Sequence, residues 1–300
     1  MRIVLALDGS PSSIQARDLV AALPWPDDTT ITLVTAFDVP VSWFMEVPAP
    51  SDWLTDAENG LRRQAGDALA ELAGPLEGHG WTIERRVAEG RAATEILAAA
   101  DDLGADLIVV GSRGRGPIGT MLLGSVSAEI ASGSRRSVLV ARGSEATRLL
   151  VATDGSSCSA GLPQALGDFG VFAGREAVAL SVAPVDSPGF AMLVNLYTLG
   201  SEQTGATRDE LLASHRGFAE DTARQLTDLG IRATAEARTG DAAHEIIAAA
   251  REHHADLIVT GSRCLEGVDR WFLGSVARNV LVHAEASVLV VRPGAVPAAT

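Results

Sequence analysis

The sequence predicts an α/β protein made of two tandem, doubly wound parallel sheets of five strands each. Three observations lead there. The chain repeats itself. Each repeat alternates short apolar runs with segments of helical periodicity. The apolar runs are too continuous to leave one face in water, so they read as strands buried on both faces. The repeat is explicit. Gly90-Arg-Ala-Ala-Thr-Glu-Ile-Leu and Ala105-Asp-Leu-Ile-Val-Val-Gly111-Ser112-Arg113 return about 150 positions later as Gly240-Asp-Ala-Ala-His-Glu-Ile-Ile and Ala255-Asp-Leu-Ile-Val-Thr-Gly261-Ser262-Arg263. Leu123-Gly124-Ser125-Val126 matches Leu273-Gly274-Ser275-Val276, and Leu7-Asp8-Gly9-Ser10 matches Thr153-Asp154-Gly155-Ser156. A tandem duplication follows. The 300 residues suffice for two domains with full cores. The polar stretch Gly143-Ser-Glu-Ala-Thr147 divides them into 1–145 and 146–300.

The elements follow in order. Ile3 to Leu7 is an apolar run stopped by Asp8-Gly9, a buried strand. Ser10 or Ser12 caps the next helix, in which Ile14, Leu19, Val20 and Leu23 keep helical spacing. Thr30 to Phe37 is rich in β-branched residues and reads as strand two. An apolar, proline-bearing loop from Val39 to Pro50 carries Trp43, Phe44 and Met45, which either fold onto their own helices or meet a partner. A helix from about Asp52 to Leu76, strand three from Trp81 to Val87, a helix from Ala92 to Leu103 and a fully apolar strand from Leu107 to Val110 come next. A glycine-rich loop leads to a helix from Ser125 to about Ala131, and Val138 to Ala141 closes the repeat. The second repeat supplies strands at Leu149–Ala152, Ala177–Val182, Arg232–Ala237, Leu257–Thr260 and Val288–Val291.

Composition removes several function classes. A net charge of −14 argues against a general nucleic-acid or anionic-membrane surface, so neither is expected as a partner. All 24 cationic side chains are arginine. Without lysine there is no Walker-type phosphate lysine, no Schiff base and no kinase-type lysine. The six histidines lack zinc spacing, and Cys158 and Cys264 are read as forming neither a metal nor a redox motif, with Cys264 a buried space-filler rather than a sensor. The opening apolar run is cut short by Asp8-Gly9 and no run reaches spanning length, so a cytoplasmic protein is expected.

The chemistry sits where strands end. In a doubly wound sheet, ligands bind outside the carboxyl ends of the strands at the switch point. Asp8-Gly9 and Gly111-Ser112 lie at such ends. Gly111 and Gly114 are expected to bring backbone close to a ligand through positive φ angles and to form an anion-holding nest. Gly124-Ser125 opens a helix whose N–H groups and dipole favour phosphate, with Ser125 as cap or hydroxyl donor. Arg113 and Arg115 supply positive charge, and Asp8 is placed to accept hydrogen bonds from a ribose or a base, or to cap the first helix. Gly114-Arg-Gly116-Pro-Ile-Gly119 also fits a dinucleotide fingerprint. That fingerprint belongs after the first strand, with an acidic residue at the end of the next; here the next strand ends in Arg142.

Gly-x2-Gly-x9-Gly-Ser after Ala-Asp-Leu-Ile-Val resembles the signature of the ATP-binding universal stress proteins. Gly111, Gly114, Gly124 and Ser125 fill it, Asp8 stands at the family's strand-one aspartate, and Ser137-Val-Leu-Val-Ala matches its last strand. The resemblance covers nearly the whole chain, twice. It implies an adenine nucleotide α-hydrolase-like fold with strand order 3-2-1-4-5 and ATP, with or without Mg²⁺, in the crevice. The implied contacts are Asp8, Gly9, Ala36, Gly111, Ser112, Arg113, Gly114, Gly124, Ser125 and Val126, with Ala36 beside the adenine. In the second repeat they are Asp154, Gly155, Gly261, Gly274 and Ser275. There Cys264 replaces the second glycine and the loop adds Glu266 and Asp269, which puts ATP binding by that half in question. The implied role is regulatory, in a stress response, with unidentified protein partners and no catalytic residue. In that family the last strand's edge often joins two domains, which allows a homodimer in addition to the intrachain pair. Alternatives are a slow ATPase or nucleotide hydrolase assisted by Asp8 or Ser127, and a cyclic-AMP-binding module.

Overall fold

The computed structural model describes residues 1–38, 51–114, 123–184, 204–262 and 273–292. The chain divides into two compact units, Met1–Ser144 and Glu145–Thr300. The loop carrying Trp43, Phe44 and Met45 lies outside the described residues.

In the first unit the chain runs β1 (Arg2–Ala6), α1 (Pro11–Ala22), β2 (Thr30–Phe37), α2 (Ser51–Ala73), β3 (Thr82–Glu89), α3 (Ala92–Asp102), β4 (Leu107–Gly111), α4 (Ser125–Gly133) and β5 (Ser137–Ala141). All strand pairs are parallel, in the order β3-β2-β1-β4-β5, with Ile3 beside both Ile31 and Leu107. The chain winds outward from β1 through β2 to β3, then returns past β1 to β4. The switch point is therefore between β1 and β4. α1 packs on β4 and β5, α2 on β2 and β3, and α3 on β2 and α4. Ile3, Leu5, Leu33, Ile108 and Ile130 are among the buried residues at the centre. Each contributes about 1.5–3 kcal/mol by leaving water.

The second unit repeats the plan with β6 (Arg148–Thr153), β7 (Glu176–Ala183), β8 (Arg232–Thr239), β9 (Leu257–Gly261) and β10 (Ser287–Val291), ordered β8-β7-β6-β9-β10 and all parallel. Its long helices are α7 (Thr204–Asp228), α8 (Ala242–Glu252) and α9 (Ser275–His283). One difference matters for the site. Where the first unit has an unbroken α1, the second has a single turn, α5 (Ser157–Ala160), then Gly161, then α6 (Leu162–Phe169). Pro163 explains the break, because its ring has no N–H to donate and clashes with a carbonyl one turn back.

The shared Ala-Asp-Leu-Ile-Val stretch has a structural purpose. Asp106 accepts a hydrogen bond from the N–H of Arg2 at 2.7 Å, and Asp256 accepts one from Arg148 at 3.0 Å. Each aspartate pins the start of the fourth strand of its unit to the start of the first.

Candidate functional site

In the first unit, the carboxyl ends of β1 and β4 meet across the switch point. Gly9 has a φ of 74° and turns the chain from β1 into α1, a conformation that favours glycine. Asp8 does not cap α1. Its Oδ1 accepts the N–H of Ser10 at 2.9 Å, and the cap is Ser10, whose Oγ accepts the N–H of Ser13 at 3.3 Å. Ser10 Oγ also donates to the carbonyl of Arg113 at 3.2 Å, tying the first loop to the fourth. The other carboxylate oxygen of Asp8 faces Gly114: a Cβ on Gly114 would stand 2.9 Å from it. A side chain there would have to displace the Asp8 carboxylate.

The expectation of positive φ at Gly111 and Gly114 is corrected. Neither has one; the left-handed glycines of this region are Gly9 and Gly155. Gly111 is a packing glycine. A Cβ on it would stand 2.5 Å from the carbonyl carbon of Ser12 and 2.7 Å from the nitrogen of Ser13. It lets β4 approach the first turn of α1. Ser112 is buried, accepts the N–H of Gly124 at 2.7 Å on its carbonyl and donates its own N–H to Ala141 at 3.0 Å. Gly124 is the N-cap of α4 and offers no side-chain cap, so Ser125 is the first helical residue and not the cap. The first N–H groups of α4 are left without a capping side chain beside the Arg113–Gly114 backbone. Val126, in the same turn, is exposed. Ser127 is buried and donates to the carbonyl of Gly111 at 2.6 Å. That bond engages its hydroxyl proton and ties α4 to the end of β4. Ala36 is half-buried at the end of β2, beside Ala88 of β3. Arg115 lies outside the described residues.

Sequence reading missed Arg142 as a site residue. Burial, reinforced by the positive charge of Arg113, lowers its pKa to about 10. It stays charged at neutral pH, so two guanidinium groups add to one local field at the ends of β4 and β5. The signal available in the sequence was an arginine directly after an all-apolar strand.

The second unit builds the same corner differently. Oδ1 of Asp154 accepts the N–H of Ser156 at 3.0 Å and the hydroxyl of Ser159 at 2.7 Å. Desolvation alone would raise the pKa of this carboxyl; the hydrogen bonds from Ser156 and Ser159 outweigh it and hold the group below the usual range. Gly155, with φ 72°, turns the chain, and a Cβ on it would stand 2.6 Å from the ring of Phe218 on α7. Phe218 meets His215 edge to face at 5.5 Å, and Nδ1 of His215 bonds Oγ of Ser181 on β7 at 2.8 Å. Burial lowers the pKa of His215 against the opposing pull of Asp154. Beyond Asp154 and Gly155, none of these residues was read from the sequence as part of a site.

Gly261 does not repeat the crowding of Gly111. A Cβ there would stand 3.7 Å from the nearest backbone atom, the carbonyl oxygen of Cys158, an ordinary contact. A cavity of about 370 Å³ opens at this corner, between Asp154, the apolar side chains of Leu180, Val182 and Ile246, and the Gly274-Ser275-Val276 start of α9. Gly274 is an N-cap without a capping side chain. Cys158, read with Cys264 as outside any redox motif, is disulfide-bonded. Cys264, Glu266 and Asp269 lie outside the described residues. Among the described residues no cluster of His, Cys, Asp and Glu is placed to hold a metal ion, and no helix is long and apolar enough to cross a membrane.

The sequence profile of the universal stress protein family matches residues 1–142 and again residues 145–292. The chain belongs to the universal stress protein family. A universal stress protein of Mycolicibacterium smegmatis is 28% identical over 301 residues, spanning 97% of both chains. One of Methanocaldococcus jannaschii is 30% identical over 141 residues, 47% of this chain and 81% of its own. The crystal structure of a universal stress protein from Archaeoglobus fulgidus shares the fold, with a TM-score of 0.65 at 20% identity over 98% of each chain. The tandem arrangement is thus a property of this universal stress protein along its whole matched length. The five-stranded order 3-2-1-4-5, implied by the resemblance, is the order observed in each unit.

Proposed function

We propose that this universal stress protein binds ATP in its first unit and uses the bound nucleotide as a regulatory signal, without rapid turnover. The observation that carries the reading is the corner of β1 and β4. A carboxylate from one strand end and a glycine from the other stand face to face, so close that a Cβ on the glycine would push the carboxylate aside, beside a helix N-terminus without a side-chain cap. Asp8 accepts the hydroxyls of a ribose. Ala36, small at the end of β2, leaves room for the flat base. The backbone of Ser112 to Gly114, the N-terminus of α4 at Gly124-Ser125-Val126, and the guanidinium groups of Arg113 and Arg142 receive phosphate oxygens. Were Mg²⁺ to accompany the phosphates, the Ser125 hydroxyl would be the side chain in the first turn of α4 able to hold it.

The two residues considered for a hydrolytic role are both engaged in structural hydrogen bonds. Ser127 is committed to Gly111, and Asp8 is committed on one oxygen to Ser10. Tight ground-state contacts without a group that activates water make a sensor. Two measurements test the proposal. Native mass spectrometry of the purified protein is expected to find retained adenine nucleotide, and a steady-state phosphate-release assay is expected to give well under about one turnover per second, below ordinary enzyme rates. Rapid turnover abolished by Asp8→Asn would move the protein to the enzymes. Failure to bind ATP in calorimetric titration would remove the ligand.

A further inference from the structure

Resting on the reading that the first unit holds ATP, we propose that Arg91, at the start of α3, is a further phosphate-binding residue of that site. Its guanidinium, bonded to Glu129 of α4 in the structure, turns to the phosphate chain of the bound nucleotide.

Arg91 is set against the preference of its own helix. It is the N-cap of α3, and its side chain makes no capping bond. A helix N-terminus carries partial positive charge, so a cation there is unfavourable, and Ser, Thr, Asp or Asn is the preferred cap. The repeat shows that ordinary solution. Gly90-Arg91-Ala92 becomes Gly240-Asp241-Ala242, and Asp241 caps α8 by accepting the N–H of His244 at 2.9 Å. Glu95 and Glu245 stand in the first turns of both helices, so they do not account for the difference. A local rule broken without a local gain marks a functional position. The bond to Glu129, at 3.1 and 3.5 Å, is not that gain. With Arg91 72% and Glu129 44% exposed, the pair adds little to stability and breaks cheaply.

The pair spans the place where phosphate is received. In the second unit the same two helix starts line one cavity, through Ala242 and Ile246 of α8 and Ser275 and Val276 of α9. Their counterparts in the first unit are Ala92 and Ile96 of α3 and Ser125 and Val126 of α4. Arg91 directly precedes Ala92. Glu129 follows Ser125 by one turn on the same face of α4, about 6 Å along the axis. Helical side chains lean toward the N-terminus, which carries the Glu129 carboxylate, and the guanidinium bonded to it, toward Ser125. The remaining swing is a change of arginine rotamer. Neither α3 nor α4 has a side-chain cap, so both helix starts favour an anion at this point. The planar fork of arginine matches phosphate oxygens, and a phosphate chain, more negative than one carboxylate, draws it from Glu129.

Calorimetric titration of the full chain with ATP and with adenosine tests the assignment. Ala242→Phe fills the second unit's cavity in every sample, so that the first unit alone is read; if that background does not fold, the unaltered chain is titrated and its sites are fitted separately. Arg91→Ala is expected to weaken ATP binding by about tenfold or more, the worth of one charge-assisted hydrogen bond, and to change adenosine binding by less than about twofold. Arg91→Asp, which copies the second unit, should weaken ATP as well while keeping or raising the melting temperature, because it restores a cap. Glu129→Gln releases the guanidinium and should tighten ATP binding. The double variant separates contact from charge compensation. A phosphate-bonding Arg91 makes Arg91→Ala costly in the Glu129→Gln background too, again by about tenfold. No loss of ATP affinity in that background would mean that Arg91 only neutralises Glu129, and it overturns the inference. An equal loss for ATP and adenosine overturns it as well. Absence of ATP binding in the unaltered protein is a separate result: it removes the first-unit reading itself, and Arg91 with it.

Discussion

Replacing Gly111 and Gly261 by alanine makes the same chemical change at the same place in the repeat, and the structure predicts opposite results. At Gly111 the new Cβ would meet the backbone of α1: 2.5 Å from the carbonyl carbon of Ser12, 2.6 Å from its oxygen and 2.7 Å from the nitrogen of Ser13. Carbon atoms rest about 3.5–4.0 Å apart, so β4 and the first turn of α1 must separate by about 1 Å. No flexible side chain is available to yield. Overpacking of this kind costs about 1–3 kcal/mol. With about 2–4 °C per kcal/mol for a unit of this size, Gly111→Ala should lower the first unit's transition by about 2–12 °C. At Gly261 the nearest atom would be 3.7 Å away and φ is not positive. Gly261→Ala should therefore cost nothing and gain up to about 1 kcal/mol, because alanine restricts the unfolded chain. Differential scanning calorimetry of the two variants decides it. Equal shifts would refute the claim that Gly111 is a packing glycine and that the second corner stands open.

Other outcomes are expected. Gly114→Ala brings a Cβ to 2.9 Å from the Asp8 carboxylate, so it should weaken ATP binding at least tenfold while moving the midpoint little; unchanged affinity in a titration would show that Asp8 yields freely. Ser127→Ala removes the hydroxyl bonded to the Gly111 carbonyl and should cost about 1 kcal/mol in urea unfolding, with ATP hydrolysis unaltered. His215 is held below its unfolded pKa of 6.5 mainly by burial, against Asp154. The unfolded chain therefore takes up the proton first. The stability contributed by the neutral ring is complete above about pH 6.5 and is lost as pH falls through the folded pKa. Urea titrations of the second unit at pH 7.5 and pH 5 should show this loss, and His215→Gln should flatten it; a slope unchanged in that variant would place the proton elsewhere.

Much of this protein is written locally. The strands and helices fell where apolar runs, helical spacing and caps placed them, because those signals act over a few residues. β2 spans Thr30–Phe37 as expected, and Ser10 is the N-cap of α1. The duplication and the glycine spacing identified the family, and with it the strand order. The roles of single residues were another matter. Gly111 and Gly114 look alike in the sequence, and neither takes the positive φ expected of it. One admits a helix from the start of the chain, and the other faces the carboxylate of Asp8. Arg142 matters because Arg113, at the end of the neighbouring strand, shares its field, and His215, on a helix, because Ser181 and Asp154 reach it from two strands. These are distances between segments far apart in the chain. Close packing sets such distances to within fractions of an ångström, and a linear pattern carries no record of them. The sequence by itself determined which elements form, in what order, and that each repeat brings a carboxylate and a glycine loop to its switch point. Only the tertiary structure decided which glycine fits against which atom, and so which of two nearly identical corners is closed and which is open.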